Sequence, residues 1–273
     1  MRWLLKRLHI YPNAYYNYLR QRKVGYREQK EKAQKAITRI YHEMGGILGH
    51  RSMRVFLARE GIKLSKTTVH KYMNKQLQLY SICRRRRPGY QKGKASKVFP
   101  NYLNRHFIAP AKNKVWCTDF TYIFLSNGTL RFNCTVIDLY DRSVVASENG
   151  RWITSDLAIR ALEKALRGQP SVPKDLILHS DQGTQFSSTQ FMDFCHAHGI
   201  RQSMSRAGCP YDNAPMERYY NTLKAELLNL YRFNTAAELD RAIAEYAYGW
   251  YNQVRPHAFN DYATPFEVRF LHK

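Results

Sequence analysis

Three carboxylates in the second half of the sequence have a spacing that is compatible with a metal site. Asp119 lies inside "WCTDFTYI", a run of bulky β-formers in which a carboxylate disfavours a strand. Asp181 follows the apolar run 176–178 in "LHSDQGTQF", and Glu217 lies in the first turn of a predicted helix that has Pro215 near its start. Taken singly, each also has an ordinary interpretation, as an edge-strand aspartate, a turn aspartate or a glutamate interacting with the helix dipole.

The three carboxylates together favour metal-dependent chemistry. At one place they would repel one another unless a divalent cation lay between them, and their hard oxygen atoms suit Mg²⁺ or Mn²⁺. Two such ions about 3.5–4 Å apart stabilise the attacking and leaving oxygens of an in-line phosphoryl displacement. We therefore expect Asp119, Asp181 and Glu217 to be both catalytic residues and ligands of Mg²⁺ or Mn²⁺, with two ions bound.

The helix that follows Glu217 carries further polar groups near the same face. Lys224 is seven residues further on, a rotation of about 700°, so it returns almost to the direction of Glu217. Asn221 lies between them at the i+4 position. This spacing predicts that Lys224 and Asn221 bind DNA phosphate or base, although a solvated helix face has the same pattern.

These residues require elements that bring them together, and the sequence predicts a mixed α/β layer. A hairpin turn at 126–128 joins the first two strands, a third strand follows, and helices and strands then alternate before a helical tail. The predicted strands are 115–125, 129–140, 143–150, 175–181 and 200–205, and the predicted helices are 155–168, 187–199 and 215–229.

The formal net charge of +23 is concentrated in the first third of the chain. Residues 1–100 hold 25 Lys and Arg against 4 Asp and Glu, whereas residues 101–273 hold 19 against 17. A polyanionic partner is favoured over a solubilising face, because "CRRRRPGYQKGKASK" lacks balancing acidic residues and each neutralised phosphate releases counterions. We expect contacts with double-stranded DNA from Arg84, Arg85, Arg86 and Arg87.

A helix-turn-helix is predicted within the helical patterns of residues 27–78. One helix, 51–61, ends at Gly61, and the next begins with Ser65 as its N-cap. The second helix would enter the major groove and bring Lys66 and Lys71 to DNA. The predicted division of the chain is a DNA-binding region at 1–82, a basic linker at 83–113, a catalytic core at 114–232 and a C-terminal helical extension at 233–273.

Several classes of protein are disfavoured by composition. The sequence has no apolar run of about 18 residues and no signal-peptide pattern, so we expect a cytoplasmic protein without a membrane partner. The five cysteines are scattered and odd in number, which argues against a disulfide framework. "CHAH" at 195–198 has no partner pair at zinc-ligand spacing, so packing is favoured over metal binding there.

The motifs resemble those of a known family. "WCTDFTYI", "HSDQGTQF" and "GCPYDNAPMERYYNTLKAE", with 35 residues between Asp181 and Glu217, resemble the D-D-(35)-E motif of retroviral-integrase-like transposases. The nearest match is the bacterial insertion sequence 3 family, specifically its second-frame product. Residues 27–80 resemble that family's second helix-turn-helix, and "WYNQVRPHAFNDYATPFE" resembles its C-terminal signature.

The resemblance implies an RNase H-like core with Asp119, Asp181 and Glu217 on metal. It also implies an enzyme that cuts DNA at the terminal inverted repeats of an insertion sequence and joins the cut ends to target DNA. The enzyme is expected to act as a homo-oligomer and to be associated with the nucleoid. Residues 1–10 open a basic amphipathic pattern without an N-cap residue, and residues 11–23 have little apolar surface of their own, as at the end of a larger region. The resemblance therefore implies fusion or pairing with an upstream-frame product. The alternatives are a helix-turn-helix regulator without catalysis and an RNase H-like nuclease without strand transfer.

Four further residues near the motifs are expected to give support. His179 either tunes the second metal ligand or serves the core, and Asn213 stands in the same motif as Glu217. Arg255 and His257 of the "RPH" element either contact DNA or hold the C-terminal helix end, with the structural role favoured.

The charge distribution generates the first prediction, that residues 1–97 supply most of the non-specific DNA affinity. The affinity of this fragment for a duplex should fall steeply with salt, with a logarithmic slope of about −0.9 per phosphate contact. Fluorescence anisotropy at several salt concentrations would measure it. Equal affinity of the full chain and a chain beginning at Val98 would refute the prediction.

Overall fold

The computed structural model of the chain describes residues 1–20, 24–82 and 97–271. It divides into two compact units, Met1–Ile82 and Cys83–Lys273. The four arginines predicted to contact DNA, Arg84, Arg85, Arg86 and Arg87, lie outside the described residues. The finer boundaries at 113/114 and 232/233 stay predictions.

The first unit is all-helical. Buried apolar residues from three of its helices, among them Ile37, Met53 and Met73, form its interior. Its helices are α1 (Arg2–Arg7), α2 (Pro12–Leu19), α3 (Val24–Glu43), α4 (His50–Arg59) and α5 (Lys66–His70), the last of which continues as a π-helical segment, Lys71–Gln76.

The predicted helix-turn-helix is formed by α4 and α5. Gly61 ends the first helix with a φ of +78°, a left-handed conformation that glycine adopts without steric cost. Ser65 caps the second helix, and its hydroxyl accepts a hydrogen bond of 3.1 Å from the N–H of Thr68. Lys66 and Lys71 are exposed, so both side chains are accessible to a ligand.

The second unit is built on a five-stranded mixed sheet, as the sequence predicts. The strand order is β3-β2-β1-β4-β5; β1 and β3 pair antiparallel with β2, and β4 pairs parallel with β1 and β5. The strands are β1 (Val115–Phe124), β2 (Leu130–Asp138), β3 (Val144–Gly150), β4 (Ile177–Ser180) and β5 (Arg201–Met204).

Helices cover both faces of the sheet. Trp116 of β1 packs in a cluster with residues of α6 and α7, whereas its neighbour Cys117 packs in a second cluster with residues of α8 and the C-terminal helices. The helices are α6 (Ser155–Arg167), α7 (Thr189–Ala197), α8 (Ala214–Leu223), α9 (Ala236–Ala244) and α10 (Pro265–Phe270), and α8 and α9 continue as the π-helical segments Lys224–Leu228 and Glu245–Val254.

The alternation of apolar and polar residues in 129–140 does not mark a solvent face. Asn133 and Thr135 of β2 are as buried as Cys134 and Val136. Their polar atoms are satisfied inside the protein, since Thr135 Oγ1 donates to Asn133 Oδ1 at 2.7 Å and Asn133 Nδ2 donates to Ser147 Oγ at 2.8 Å. Hydrogen bonding between neighbouring strands thus allows polar residues on a covered face.

A buried arginine fastens α10 to the sheet. Arg269 Nη1 lies 3.0 Å from Asp138 Oδ2 and 2.5 Å from Asp141 Oδ2. Its Nη2 donates to Asn113 Oδ1 at 2.7 Å and to Gln169 Oε1 at 2.6 Å. Across the ranges that the structure describes, no helix is long and apolar enough to cross a membrane.

Replacing Arg269 with alanine should destabilise the second unit. The substitution leaves two buried carboxylates without their cation, which typically costs about 3–5 kcal/mol. Urea unfolding followed by tryptophan fluorescence would measure the loss. Arg160→Ala is the control, because the exposed Arg160–Asp156 pair contributes at most about 1 kcal/mol; equal losses in the two variants would contradict the prediction.

Candidate active site

The pairing of β1 with β4 brings two of the predicted carboxylates to the same level of the sheet. The parallel ladder aligns Val115 with Ile177 and Cys117 with His179. Continued by two residues, the same register aligns Asp119 with Asp181, which lies directly after the end of β4. Strand pairing thus places Asp119 inside one strand and Asp181 at the carboxyl end of its neighbour.

Local backbone hydrogen bonds orient both aspartates. Asp119 Oδ1 accepts from the N–H of Phe120 at 2.7 Å, and Asp181 Oδ1 accepts from the N–H of Gly183 at 2.8 Å. Asp119 is half-buried and Asp181 is buried. A carboxylate that is fixed through one oxygen can present its second oxygen in a limited range of directions.

Two residues of the Glu217 motif anchor α8 to the backbone of β1. Asn213 Nδ2 donates to the carbonyl of Thr118 at 3.3 Å. The hydroxyl of Tyr220 donates to the carbonyl of Asp119 at 2.6 Å and accepts from the N–H of Thr135 at 3.1 Å. These contacts hold the helix against the strand on both sides of Glu217.

The helical rotation shows where Glu217 lies relative to these anchors. At about 100° per residue, Asn213, Glu217, Tyr220 and Lys224 fall within about 60° of one another. Glu217, which is half-buried, is therefore on the side of α8 that meets β1, between two residues that contact it. The sequence missed Tyr220, although its position three residues after Glu217 is a signal for a shared helix face.

The three carboxylates suit a divalent ion in their chemistry and in the elements that carry them. All are oxygen donors of the type that Mg²⁺ and Mn²⁺ prefer. Across the described residues, however, no group of three or more His, Cys, Asp and Glu side chains is placed to hold a metal ion. The structure therefore brings Asp119 and Asp181 to one level and Glu217 to the adjoining helix face without closing them into a ligand cluster.

Lys224 begins the π-helical segment after α8, and Asn221 lies in the last turn of α8. Burial lowers the pKa of the Lys224 ammonium, and the negative charge of Asp119 opposes this shift. The Lys224 Nζ is 4.8 Å from the centre of the Tyr122 ring, within cation–π range. Asn221 is exposed. Contact of either residue with DNA stays a prediction.

His179 holds the loop that leads into α8. Its Nδ1 lies 2.9 Å from Ser203 Oγ, and its Nε2 lies 2.9 Å from the carbonyl oxygen of Asp212. Burial lowers the pKa of His179 to about 4, so the ring is neutral near pH 7. Of the two roles that the sequence left open for His179, these contacts provide the one within the core.

Asp212 is a second structural residue of this loop, and sequence reasoning missed it. Its buried carboxylate lies 2.9 Å from Arg206 Nε and 2.7 Å from Arg105 Nε. Hydrogen bonds from Arg206 hold the pKa of Asp212 well below its usual range, with Arg105 acting in the same direction. The sequence signal is only an aspartate just before Asn213, because Arg105 is 107 residues away.

Arg255 and His257 hold the C-terminal segment, the role that the sequence favours for them. Arg255 Nε lies 3.0 Å from both carboxylate oxygens of Glu226. His257 is buried, its Nε2 lies 3.3 Å from the carbonyl oxygen of Tyr251, and burial lowers its pKa to about 3. A charged pair and a neutral imidazole thus join this segment to the helices before it.

Comparison with known proteins identifies similar families. Two integrase core domain models match residues 109–210 and 198–265, and an HTH-like domain model matches residues 28–87. The transposase for insertion sequence element IS904 of Lactococcus lactis is 35% identical over 238 residues, which cover 87% of this chain and 93% of that protein.

The chain is also similar to a second bacterial transposase and to a chain of a viral intasome. Transposase InsF for insertion sequence IS3A of Escherichia coli is 30% identical over 203 residues, which cover 74% of this chain and 70% of that protein. A chain of the simian T-cell lymphotropic virus intasome structure, solved with a PP2A regulatory subunit, is 19% identical with a TM-score of 0.48; the match covers 80% of this chain and 70% of that one.

Proposed function

We propose a catalytic site for this chain, which belongs to the insertion sequence 3 type of transposases and has their integrase-type core and helix-turn-helix region. Membership makes it a polynucleotidyl transferase that acts on DNA. The proposal concerns the residues that carry out the reaction, the metal and the assembly on DNA.

The catalytic groups of the proposal are Asp119, Asp181 and Glu217. The observation that carries it is the β1–β4 register, which continues to an alignment of Asp119 with Asp181. The anchoring of α8 at the carbonyls of Thr118 and Asp119 supports the inclusion of Glu217. These carboxylates would bind two divalent ions, Mg²⁺ or Mn²⁺, by analogy with other phosphoryl-transfer sites.

The reaction consists of two in-line displacements at phosphorus. In the first, a water molecule loses a proton as its oxygen bonds to phosphorus, the P–O3′ bond breaks, and the leaving oxygen takes up a proton to become a 3′-hydroxyl. In the second, that 3′-hydroxyl loses its proton as its oxygen bonds to a phosphorus of another strand, and the displaced 3′-oxygen of that strand takes up a proton. Bound divalent ions supply charge stabilisation at the attacking and leaving oxygens.

The protein contributes positioning and electrostatics, without a covalent intermediate. The backbone hydrogen bonds of Asp119 and Asp181 fix their carboxylates before the substrate arrives. Lys224, whose ammonium is affected by the charge of Asp119, would bind a phosphate next to the reacting one, and the exposed Asn221 would contact phosphate or base.

The partners of the proposal are terminal inverted repeats and target DNA. The positive charge of residues 1–100 would supply the general attraction, with Lys66, Lys71 and the arginines 84–87 among the contacts. We also propose a homo-oligomer on DNA, pairing with an upstream-frame product, and residence on the nucleoid in the cytoplasm, where chromosomal DNA lies.

Replacing any one of the three carboxylates should abolish catalysis. Asp119→Asn, Asp181→Asn and Glu217→Gln should each lower cleavage and joining by about 10³-fold or more, because such groups act as a unit. Duplex affinity should stay within about twofold. The assay is single-turnover cleavage and joining of end-sequence oligonucleotides with Mg²⁺ or Mn²⁺.

Asp156→Asn is the matched control, because this exposed aspartate pairs only with the neighbouring Arg160 in the contacts described. Near-normal activity in any of the three variants would remove that residue from the catalytic set. An unsubstituted chain that binds element ends tightly but never cleaves them would support the regulator, and one that cleaves without joining would support the nuclease.

End recognition is expected to need the upstream-frame product. Specific recognition typically exceeds non-specific binding by roughly 10³-fold or more, whereas the charge of this chain attracts any duplex. Affinities of this chain and of the frame-fused product for end-containing and scrambled duplexes, at one salt concentration, would measure the difference. Full end specificity and excision by this chain alone would contradict the expectation.

A further inference from the structure

Two exposed aromatic side chains lie just beyond Asp119 on β1. Tyr122 is 46% exposed and Phe124 is 60% exposed, although neighbouring apolar residues of the strand are buried. Their rings form an edge-to-face pair with centroids 5.9 Å apart. Exposed aromatic rings of this size next to a DNA-processing site are candidates for base recognition.

The strand that carries this pair is held firmly from its other face. Ile123 and Leu125 point into an apolar cluster that contains Leu239 and Ile243 of α9. Because successive side chains of a strand point to opposite faces, this burial directs Tyr122 and Phe124 outward. Their exposure is thus a consequence of the strand's packing.

The edge of β1 beside the pair has no strand partner within the described residues. The ladder with β4 covers only Val115 to Cys117, and the remaining part of β1 pairs with β2 on its opposite edge. Asp119 and Tyr122, three residues apart, point to opposite faces of β1, and the strand edge without a β-partner lies between these faces. Asn213 contacts this edge at the carbonyl of Thr118.

A positive charge adjoins the aromatic pair. The Lys224 Nζ lies 4.8 Å from the centre of the Tyr122 ring, and Asp119 is near enough to affect the pKa of Lys224. Two exposed aromatic rings, an ammonium group over the Tyr122 ring and the negative charge of Asp119 thus act on one another. This combination matches a nucleotide, with its base on the ring and its phosphate on the ammonium.

We propose that Tyr122 and Phe124 form a stacking platform for an unpaired base of the DNA substrate, one to three nucleotides from the reacting phosphate. The spacing follows from the strand: Tyr122 is three steps along β1 from Asp119, about 10 Å at 3.4 Å per residue, and bases along one DNA strand are about 3.4 Å apart. The proposal rests on the catalytic role of Asp119.

An unpaired base is the occupant because a base inside a duplex already stacks on its neighbours. Its face becomes available to a protein ring only when it is flipped out or lies in a single strand. A protein partner is less well matched, since the exposed apolar surface here, Tyr122 and Phe124 with Leu130 opposite Phe124, is small beside the roughly 800 Å² per partner of a stable interface.

The test uses the full chain in EDTA, so that no metal-dependent cleavage changes the probe. The probe is a duplex with a three-nucleotide single-stranded extension that contains 2-aminopurine, and a blunt duplex of the same sequence is its reference. The unsubstituted chain should quench the 2-aminopurine fluorescence and prefer the extended duplex by about tenfold, the usual scale for one stacked base. The double variant Tyr122→Ala with Phe124→Ala should lose both effects.

The chain offers a matched control at the opposite end of the sheet. Phe266 and Phe270 of α10 are also exposed, with ring centroids 4.9 Å apart and the Lys112 Nζ 5.9 Å from the centre of the Phe270 ring. Alanine substitution of this pair should leave quenching and preference unchanged. The double variant Tyr122→Phe with Phe124→Tyr keeps both aromatic rings and should retain both the quenching and the preference for the extended duplex. Loss of either effect in this variant would speak against stacking.

Unchanged quenching and preference in the Tyr122→Ala, Phe124→Ala variant would overturn the proposal. The proposal would also fail if this variant kept its quenching but no longer self-associated in sedimentation. The aromatic pair would then be a contact between protein copies. Catalysis is a separate result. If the unsubstituted chain quenches 2-aminopurine but never cleaves or joins DNA with Mg²⁺ or Mn²⁺, the catalytic proposal and the distance from a reacting phosphate fail, whereas base stacking on the pair stands.

Discussion

The hydroxyl of Tyr220 lies where β1, β2 and α8 meet, and the geometry of the candidate site depends on it. It donates to the carbonyl of Asp119 and accepts from the N–H of Thr135, the residue paired with Asp119 across the ladder. Burial raises the pKa of Tyr220 well above its ordinary value, so the hydroxyl stays a donor throughout the neutral range. The axial position of α8, and with it that of Glu217 and Lys224, is therefore set against the backbone of Asp119 itself.

The loop before α8 is held by one neutral side chain and one anionic side chain. His179 is neutral because burial disfavours its cation, whereas Asp212 stays ionised because two arginines stabilise its anion. The His179 ring is hydrogen-bonded to the backbone of Asp212, and the Asp212 carboxylate binds Arg105 and Arg206. This arrangement stabilises the start of α8 without placing an additional buried charge beside Asp181.

The elements that carry the site were predictable from local patterns. β-formers around Asp119, the apolar run before Asp181 and Pro215 before Glu217 predict two strands and a helix within a few residues of their observed bounds. The contacts that fix these elements were not predictable, because Tyr220 meets Thr135 across 85 residues and Arg269 meets Asp138 across 131. The π-helical segments are not predictable in this way, because the apolar spacing of the sequence fits an ordinary α-helical repeat.

The three carboxylates of the candidate site are constrained by their backbones in different ways. Asp119 and Asp181 are constrained by strand pairing and by their own backbone hydrogen bonds. The backbone of Glu217 is constrained on both sides by Asn213 and Tyr220. Ordering a glutamate side chain costs at most about 2 kcal/mol, whereas moving a helix would break several buried hydrogen bonds. If the three carboxylates bind an ion as proposed, side-chain rotation on this backbone would bring its ligands together at a small cost.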